Sequence, residues 1–250
     1  MNLAWFRFYG ELNDFLPPAR KGQSFAYSFN GNPALKDAIE AIGVPHAEVD
    51  LILINGVSAD FPRKLENEDY VSVYPVFESF DISGVTHLRQ KPLRETKFIL
   101  DVHLGRLARY IRLLGYDALF RTDYDDNEII RISLDEARII LTRDRGLLKN
   151  SKVTHGYWIR SQRTAEQLNE VIKRFSLADG AKPFTRCLEC NSLLKTADKE
   201  EISERLPYRT KKYYNDFWQC QGCKRIYWEG SHYEKMRKKI YGLLNSQNKV

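Results

Sequence analysis

Apolar residues along the chain change their period twice, which divides it into three stretches. Before residue 80 they come as short runs: Leu3 to Tyr9, Val49 to Ile54 and Tyr70 to Tyr74 read as strands, and Pro33 to Ile42 carries the spacing of an amphipathic helix. Asn55-Gly56 follows the most apolar run, and this pair favours a tight turn with positive φ between strands. Strands flanking one helix predict a small α+β domain over residues 1–79. Residues 80–96 are polar and without period, which predicts a linker.

From Lys97 strand and helix patterns alternate. Phe98-Ile99-Leu100 is a strand that ends at Asp101, and Leu104, Leu107, Ala108, Ile111 and Leu114 then recur at helical spacing up to Gly115, a C′ glycine. Asp117 to Phe120 predicts a strand, Asp126 to Ala137 a helix, Arg138 to Thr142 and Gly156 to Ile159 two strands, and Thr164 to Phe175 a helix. A βαβα order implies a three-layer α/β fold around a parallel sheet over residues 97–180. Residues 181–250 hold all four cysteines and a lysine-rich helix pattern, Glu234 to Leu244.

Composition narrows the class without naming it. With 43% hydrophobic and 29% charged residues, the 250-residue chain is too apolar for disorder. No apolar run is long enough for a membrane helix, and the first residues lack the pattern of a secretory signal, so a cytoplasmic protein without a membrane partner is expected. In such a compartment four cysteines read as thiols or metal ligands. The net charge of +6 is uneven: residues 1–80 carry net −5, residues 81–185 net +5 and residues 186–250 net +6. A polyanionic partner is therefore expected for the last two stretches only.

Two predicted strands end in an aspartate, at Asp101 and at Thr142-Arg143-Asp144, and Asp123, Asp125, Asp126 and Glu128 open the helix between them. Ligands of open parallel sheets bind beyond the carboxyl ends of the strands, so these acids are expected to converge. Several carboxylates together supply the oxygen ligands that Mg²⁺ or Mn²⁺ needs for phosphodiester hydrolysis. Arg106, Arg109, Arg112, Arg143 and Arg145 would neutralise flanking phosphates. Each residue also has a plainer reading. An aspartate past a strand forms turns or caps helices, Glu128 fits a capping box, and arginines three apart form a solvated face.

Cys187-Leu188-Glu189-Cys190 and Cys220-Gln221-Gly222-Cys223 are two C-x-x-C knuckles. Two such turns brought together make a closed tetrahedral Zn²⁺ site, which would be structural because no coordination position stays open. Tyr208, Tyr213, Tyr214, Phe217, Trp218, Tyr227 and Trp228 crowd this module among Lys211, Lys212 and other cations. Rings and cations together suit unpaired RNA bases and their phosphates, although a small domain also uses aromatics as core.

The stretches KFILDVHLGRLARYIRLLGYDALF, DYDDNEII and RIILTRDRGLL, with the cysteine module and its tail IYWEGSHYEKM, resemble the Mut-seven C-terminal ribonuclease domain, a branch of the PIN-like nucleases. The resemblance spans roughly residues 97–235 and departs from the family pattern at Val102-His103. It implies a PIN-like fold cleaving single-stranded RNA, with catalytic acids at Asp101, Asp125 or Asp126, and Asp144, Glu128 as a further candidate, and a Mg or Mn cofactor. The segments around Asn55-Gly56 and from Leu65 to Val76 resemble the β-grasp sulfur carriers, but Phe77-Glu78-Ser79 stands where those proteins have a terminal Gly-Gly. A ubiquitin-like domain of this kind resembles one fused to the same nuclease family. Without the tail the resemblance implies a recognition or regulatory module with a protein partner, not a carrier. The competing reading of the whole chain is a non-catalytic RNA-binding adaptor, on tRNA or ribosomes, using the basic face of the zinc module.

Overall fold

The computed structural model describes residues 1–75 and 96–247, so the expected linker at 80–96 and the Phe77-Glu78-Ser79 segment lie outside the described residues but for Thr96. The elements in chain order are β1 (Asn2–Phe8), β2 (Phe25–Phe29), α1 (Leu35–Ile42), β3 (Val49–Ile54), β4 (Val57–Ala59), β5 (Tyr70–Pro75), β6 (Lys97–Leu100), α2 (Gly105–Leu113), β7 (Asp117–Leu119), α3 (Asp126–Asp135), β8 (Ile139–Thr142), α4 (Arg145–Leu148), β9 (Gly156–Trp158), α5 (Thr164–Arg174) and α6 (Leu177–Gly180). The cysteine module follows with β10 (Leu194–Ala197), α7 (Lys199–Ile202), α8 (Tyr208–Tyr213), β11 (Phe217–Cys220), β12 (Ile226–Trp228) and α9 (Ser231–Gln247). The chain forms two compact units. One is built from the described part of Met1–Glu95 with Asp126–Trp158, the other from Thr96–Asp125 with the described part of Ile159–Val250.

In the first unit a five-stranded sheet has the order β2-β1-β5-β3-β4. β1 and β5 run parallel at its centre and the other neighbours are antiparallel, the β-grasp arrangement. Strand alternation sends Ala4, Phe6 and Phe8 of β1 inward while Leu3, Trp5 and Arg7 point away. α1 lays Leu35, Ala38 and Ile39 over Ile52, Val71 and Val73. Asn55 and Gly56 both have positive φ, at 50° and 84°, as the two-residue turn into β4 requires. Asp69 is buried but satisfied: it accepts from Arg63 Nη1 at 2.8 Å, from the Glu66 amide at 2.9 Å and from Asn55 Nδ2 at 3.2 Å.

The same unit contains α3, β8, α4 and β9, with β8 and β9 paired in parallel. This segment packs on the β-grasp domain through specific groups. The Trp158 ring stands 5.1 Å from that of Phe15, and its amide donates to buried Glu48 at 2.5 Å. His46 Nε2 lies 2.8 Å from the Val153 carbonyl oxygen, and Lys149 Nζ donates to the Glu40 carbonyl at 3.1 Å. Gly156 leaves no room for a side chain within the segment, since a Cβ there would sit 2.3 Å from Leu148 Cδ2, and it also faces Ala47 of the β-grasp domain at an ordinary 3.7 Å.

The second unit pairs β6 with β7 in parallel, joined by α2, whose Leu107, Ala108 and Ile111 are fully buried. α5 packs on α2 through its own apolar stripe of Leu168, Val171 and Ile172. Gly115 ends α2 with φ 94° and its amide on the Arg112 carbonyl, the C′ position expected for it. The cysteine module is an antiparallel sheet of order β10-β11-β12, with α7 and α8 inserted between the first two strands. Its core is small, built on Ile202, Leu206 and Phe217.

Candidate metal centre and strand-end acids

The four cysteine sulfurs lie within 4.8 Å of one another. Cys187 and Cys223 approach to 3.6 Å and Cys190 and Cys220 to 3.2 Å. Tetrahedral thiolates with Zn–S bonds of about 2.3 Å stand about 3.8 Å apart, so the donor set fits an ion such as zinc with little adjustment. Both knuckles are made alike. The amide of Asn191 donates to the Cys187 carbonyl and that of Lys224 to the Cys220 carbonyl. Asn191 and Lys224, each the residue after the second cysteine of its pair, sit in the left-handed region at φ 72° and 60°. That conformation turns the chain back so that both thiols of a pair face the same way. The thiols are strongly interdependent. Burial and neighbouring sulfurs push Cys223 up to about 12, while at Cys190 hydrogen bonds led by Ser192 outweigh burial and draw it down to about 6.

What anchors this centre was not foreseen. Tyr227 places its hydroxyl 3.1 Å from Cys187 Sγ and accepts the Leu188 amide at 3.2 Å. Asn191, buried, receives the Ala118 amide on Oδ1 at 3.0 Å and donates Nδ2 to Asp117 at 2.8 Å. Arg186 bonds the carbonyls of Gly115 and Asn191 and lies 3.6 Å from Asp117. These bonds tie the first knuckle to β7 and the end of α2. An asparagine directly after a C-x-x-C was the available signal, because asparagine adopts the left-handed conformation readily and, once buried, needs partners for both ends of its amide.

Arg112 corrects the expected exposed face of Arg106, Arg109 and Arg112. It is 3% exposed, with Nε on the Ala118 carbonyl at 2.8 Å and Nη1 on the carbonyls of Leu188 and Glu189 at 3.0 and 2.7 Å. Burial lowers its pKa, and Cys187, Cys190 and Glu189 oppose that shift. A spacing of three put it on the seam between two helix faces, where a guanidinium serves as an internal brace. Arg106 and Arg109 are exposed, and Arg109 reaches Glu189 at 2.6 Å.

Each acid can be placed on its own element. Asp101 follows β6 directly and is 8% exposed, its carbonyl accepting the Leu104 amide at 2.9 Å. Asp125 is exposed and precedes α3. Asp126 and Glu128 occupy the first turn of that helix, and Glu128 lies 3.9 Å from Arg131. Asp123 is held by Arg121 through two bonds, which lower its pKa. Asp144 follows β8, is exposed and caps α4, accepting the Gly146 amide at 2.7 Å. Arg143 is exposed, whereas Arg145 is planted over Trp158 at 3.9 Å. Lys211 and Lys212 are exposed on α8, Lys211 lying 3.7 Å from Glu204 and Lys212 over the Tyr213 ring at 5.4 Å. Among the described residues no helix is long and apolar enough to cross a membrane.

Two family models match the chain. The Mut7-C ubiquitin model matches residues 1–81, and the Mut7-C RNAse domain model matches residues 96–240, more than half of the chain. No curated protein and no solved structure matches significantly. With its N-terminal sheet domain, its parallel strands and helices, and its clustered cysteines, the chain belongs to the Mut7-C RNAse domain family.

Proposed function

We propose that the protein is a metal-dependent ribonuclease whose ligands are Asp101, Asp125 or Asp126, and Asp144, with Glu128 assisting. The observation that carries this reading is the position of Asp101 and Asp144 within the matched RNAse region, each just beyond the carboxyl end of a parallel strand. A bound Mg²⁺ or Mn²⁺ would supply Lewis-acid stabilisation and a water of lowered pKa. The chain's own groups would orient the substrate, with Arg106, Arg109 and Arg143 presenting guanidinium groups to phosphates. Zinc on the four cysteines would hold the module and take no part in the chemistry. The boundaries 1–79, 97–180 and 181–250 are proposed as the functional divisions, and a cytoplasmic location with RNA as partner follows from the same reading.

The test is end-labelled single-stranded RNA incubated with the full chain, with added Mn²⁺ and without any added divalent ion, beside Asp101→Asn. Cleavage that needs the ion and is lost in the variant supports the proposal. RNA bound but uncut in every lane would sink it in favour of an adaptor.

A further inference from the structure

The second compact unit contains a cleft of about 870 Å³, in the range of about 300–1,000 Å³ typical of ligand sites, and none of the candidate acids lines it. β11 contributes Trp218, Arg225 of the knuckle leads into β12, and α8 contributes Arg209 and Tyr213. Tyr213 is 68% exposed although it lines the cleft, and the Lys212 ammonium lies 5.4 Å from its ring centre. The apolar core of the module does not use it, being built instead on Ile202, Leu206 and Phe217. A tyrosine left exposed in a cleft lined by other aromatics costs apolar hydration that a stacked planar ligand would recover.

Charge selects among planar ligands. Four arginines and two glutamates line the cleft. Glu189 is already neutralised, because Arg109 and Arg225 both reach its Oε1, at 2.6 and 3.3 Å. Arg209 makes no ion pair with the described residues. An anionic ligand bearing flat, unpaired rings meets both conditions, and single-stranded nucleic acid is the polymer that combines them.

We propose that this cleft is a subsite for unpaired RNA bases, with Tyr213 and Trp218 as stacking platforms and Arg209 holding a phosphate. The inference rests on the RNA reading above, but it places binding in a cleft that needs no divalent ion and contains none of the proposed cleaving acids.

Full-length, metal-replete protein is titrated with a fluorescent oligouridine and with a duplex of equal length, with no Mg²⁺ or Mn²⁺ added so that no cleavage occurs. The single strand should bind more tightly than the duplex. Tyr213→Ala should weaken single-strand binding by about fivefold or more, as the loss of one stacked base does, while Tyr213→Phe keeps the affinity. Arg209→Ala should weaken binding and lower the salt slope by about one. Thermal melts of the variants should match the parent, since both side chains are exposed. Parent-like binding by both alanine variants, or equal affinity for the duplex, overturns the subsite and leaves the cleft to a peptide or small molecule. Binding that responds as expected while Mn²⁺ supports no cleavage removes the nuclease reading alone. Metal-dependent cleavage with unaltered binding in the variants removes the subsite alone.

Discussion

Arg145 lies with its guanidinium 3.9 Å over the ring of Trp158, and Phe15 of the β-grasp domain packs against the same pair, its ring tilted 39° and 5.1 Å from Trp158 and 5.2 Å from the guanidinium. The two rings and the cation therefore bind the residue after Asp144 to the N-terminal core. Phe15 is 7% exposed and shares its cluster with Phe8 and Leu12, so its removal opens a cavity in both segments at once. Phe15→Ala should cost about 3–5 kcal/mol, read from urea unfolding followed by tryptophan emission. An N-terminal domain that unfolded alone would give a separate early transition and leave the Trp158 signal in place. Seeing that would refute joint folding of residues 1–75 with 126–158.

His46 makes this contact sensitive to pH. The imidazole is buried, with Nε2 2.8 Å from the Val153 carbonyl oxygen and Nδ1 2.5 Å from Glu40, and Lys36 adds its field. Burial, the largest influence, holds its pKa below 6.5 against the upward pull of Glu40. A depressed histidine favours the neutral form in the fold, so protons bind the unfolded chain better. Its stabilising contribution is full above the unfolded value of about 6.5 and is lost as the pH falls below that. Melting temperature should fall from pH 7 to 5 more steeply in the parent than in His46→Gln. Parallel profiles would show that the ring carries no proton linkage.

Arg112 supports the metal centre from outside it. Three carbonyls depend on its donors, and two of them belong to the Cys187 knuckle. Arg112→Lys keeps the charge but cannot reach all three with one ammonium group. Loss of the charged hydrogen bonds should cost about 2–4 kcal/mol, and loosened support of the ligands should speed metal release to a chromogenic chelator by about 10–100-fold. Parent-like release kinetics in a stable Arg112→Lys would show that the knuckle holds itself.

Which features could be read from the chain depended on how local their cause was. Gly115, Asn55-Gly56 and the two C-x-x-C turns announce themselves because one residue's φ or one pair's spacing decides the geometry. β2 has no counterpart in the sequence reading although Phe25, Tyr27 and Phe29 alternate with Ala26 and Ser28 along it, because a five-residue edge strand is too short a run for that period to stand out. The three short strands of the cysteine module also escaped, since their order is imposed by knuckles and an insertion rather than by period. Arg112 failed for the opposite reason. Sequence spacing groups it with Arg106 and Arg109 on one helix face, but only tertiary contacts reveal that Arg112 alone of the three is covered. The contact between Phe15 and Trp158 joins residues 143 positions apart, and no local pattern carries such information.

Asp144 tests whether a carboxylate beyond a strand is a cap or a ligand. Its Oδ1 accepts the Gly146 amide at 2.7 Å, a bond that an asparagine oxygen makes about as well. Asp144→Asn should therefore melt within about 0.5 kcal/mol of the parent, whereas Asp144→Ala should lose about 1 kcal/mol. Removing the charge while keeping the cap isolates the chemistry. If the carboxylate serves the reaction, Asp144→Asn abolishes Mn²⁺-dependent RNA cleavage at unchanged stability, and alanine does no worse in activity. If the aspartate is only a cap, asparagine retains cleavage in full and alanine loses it only as far as it loses folded protein. Activity measured against the fraction folded, for both variants, separates the two outcomes.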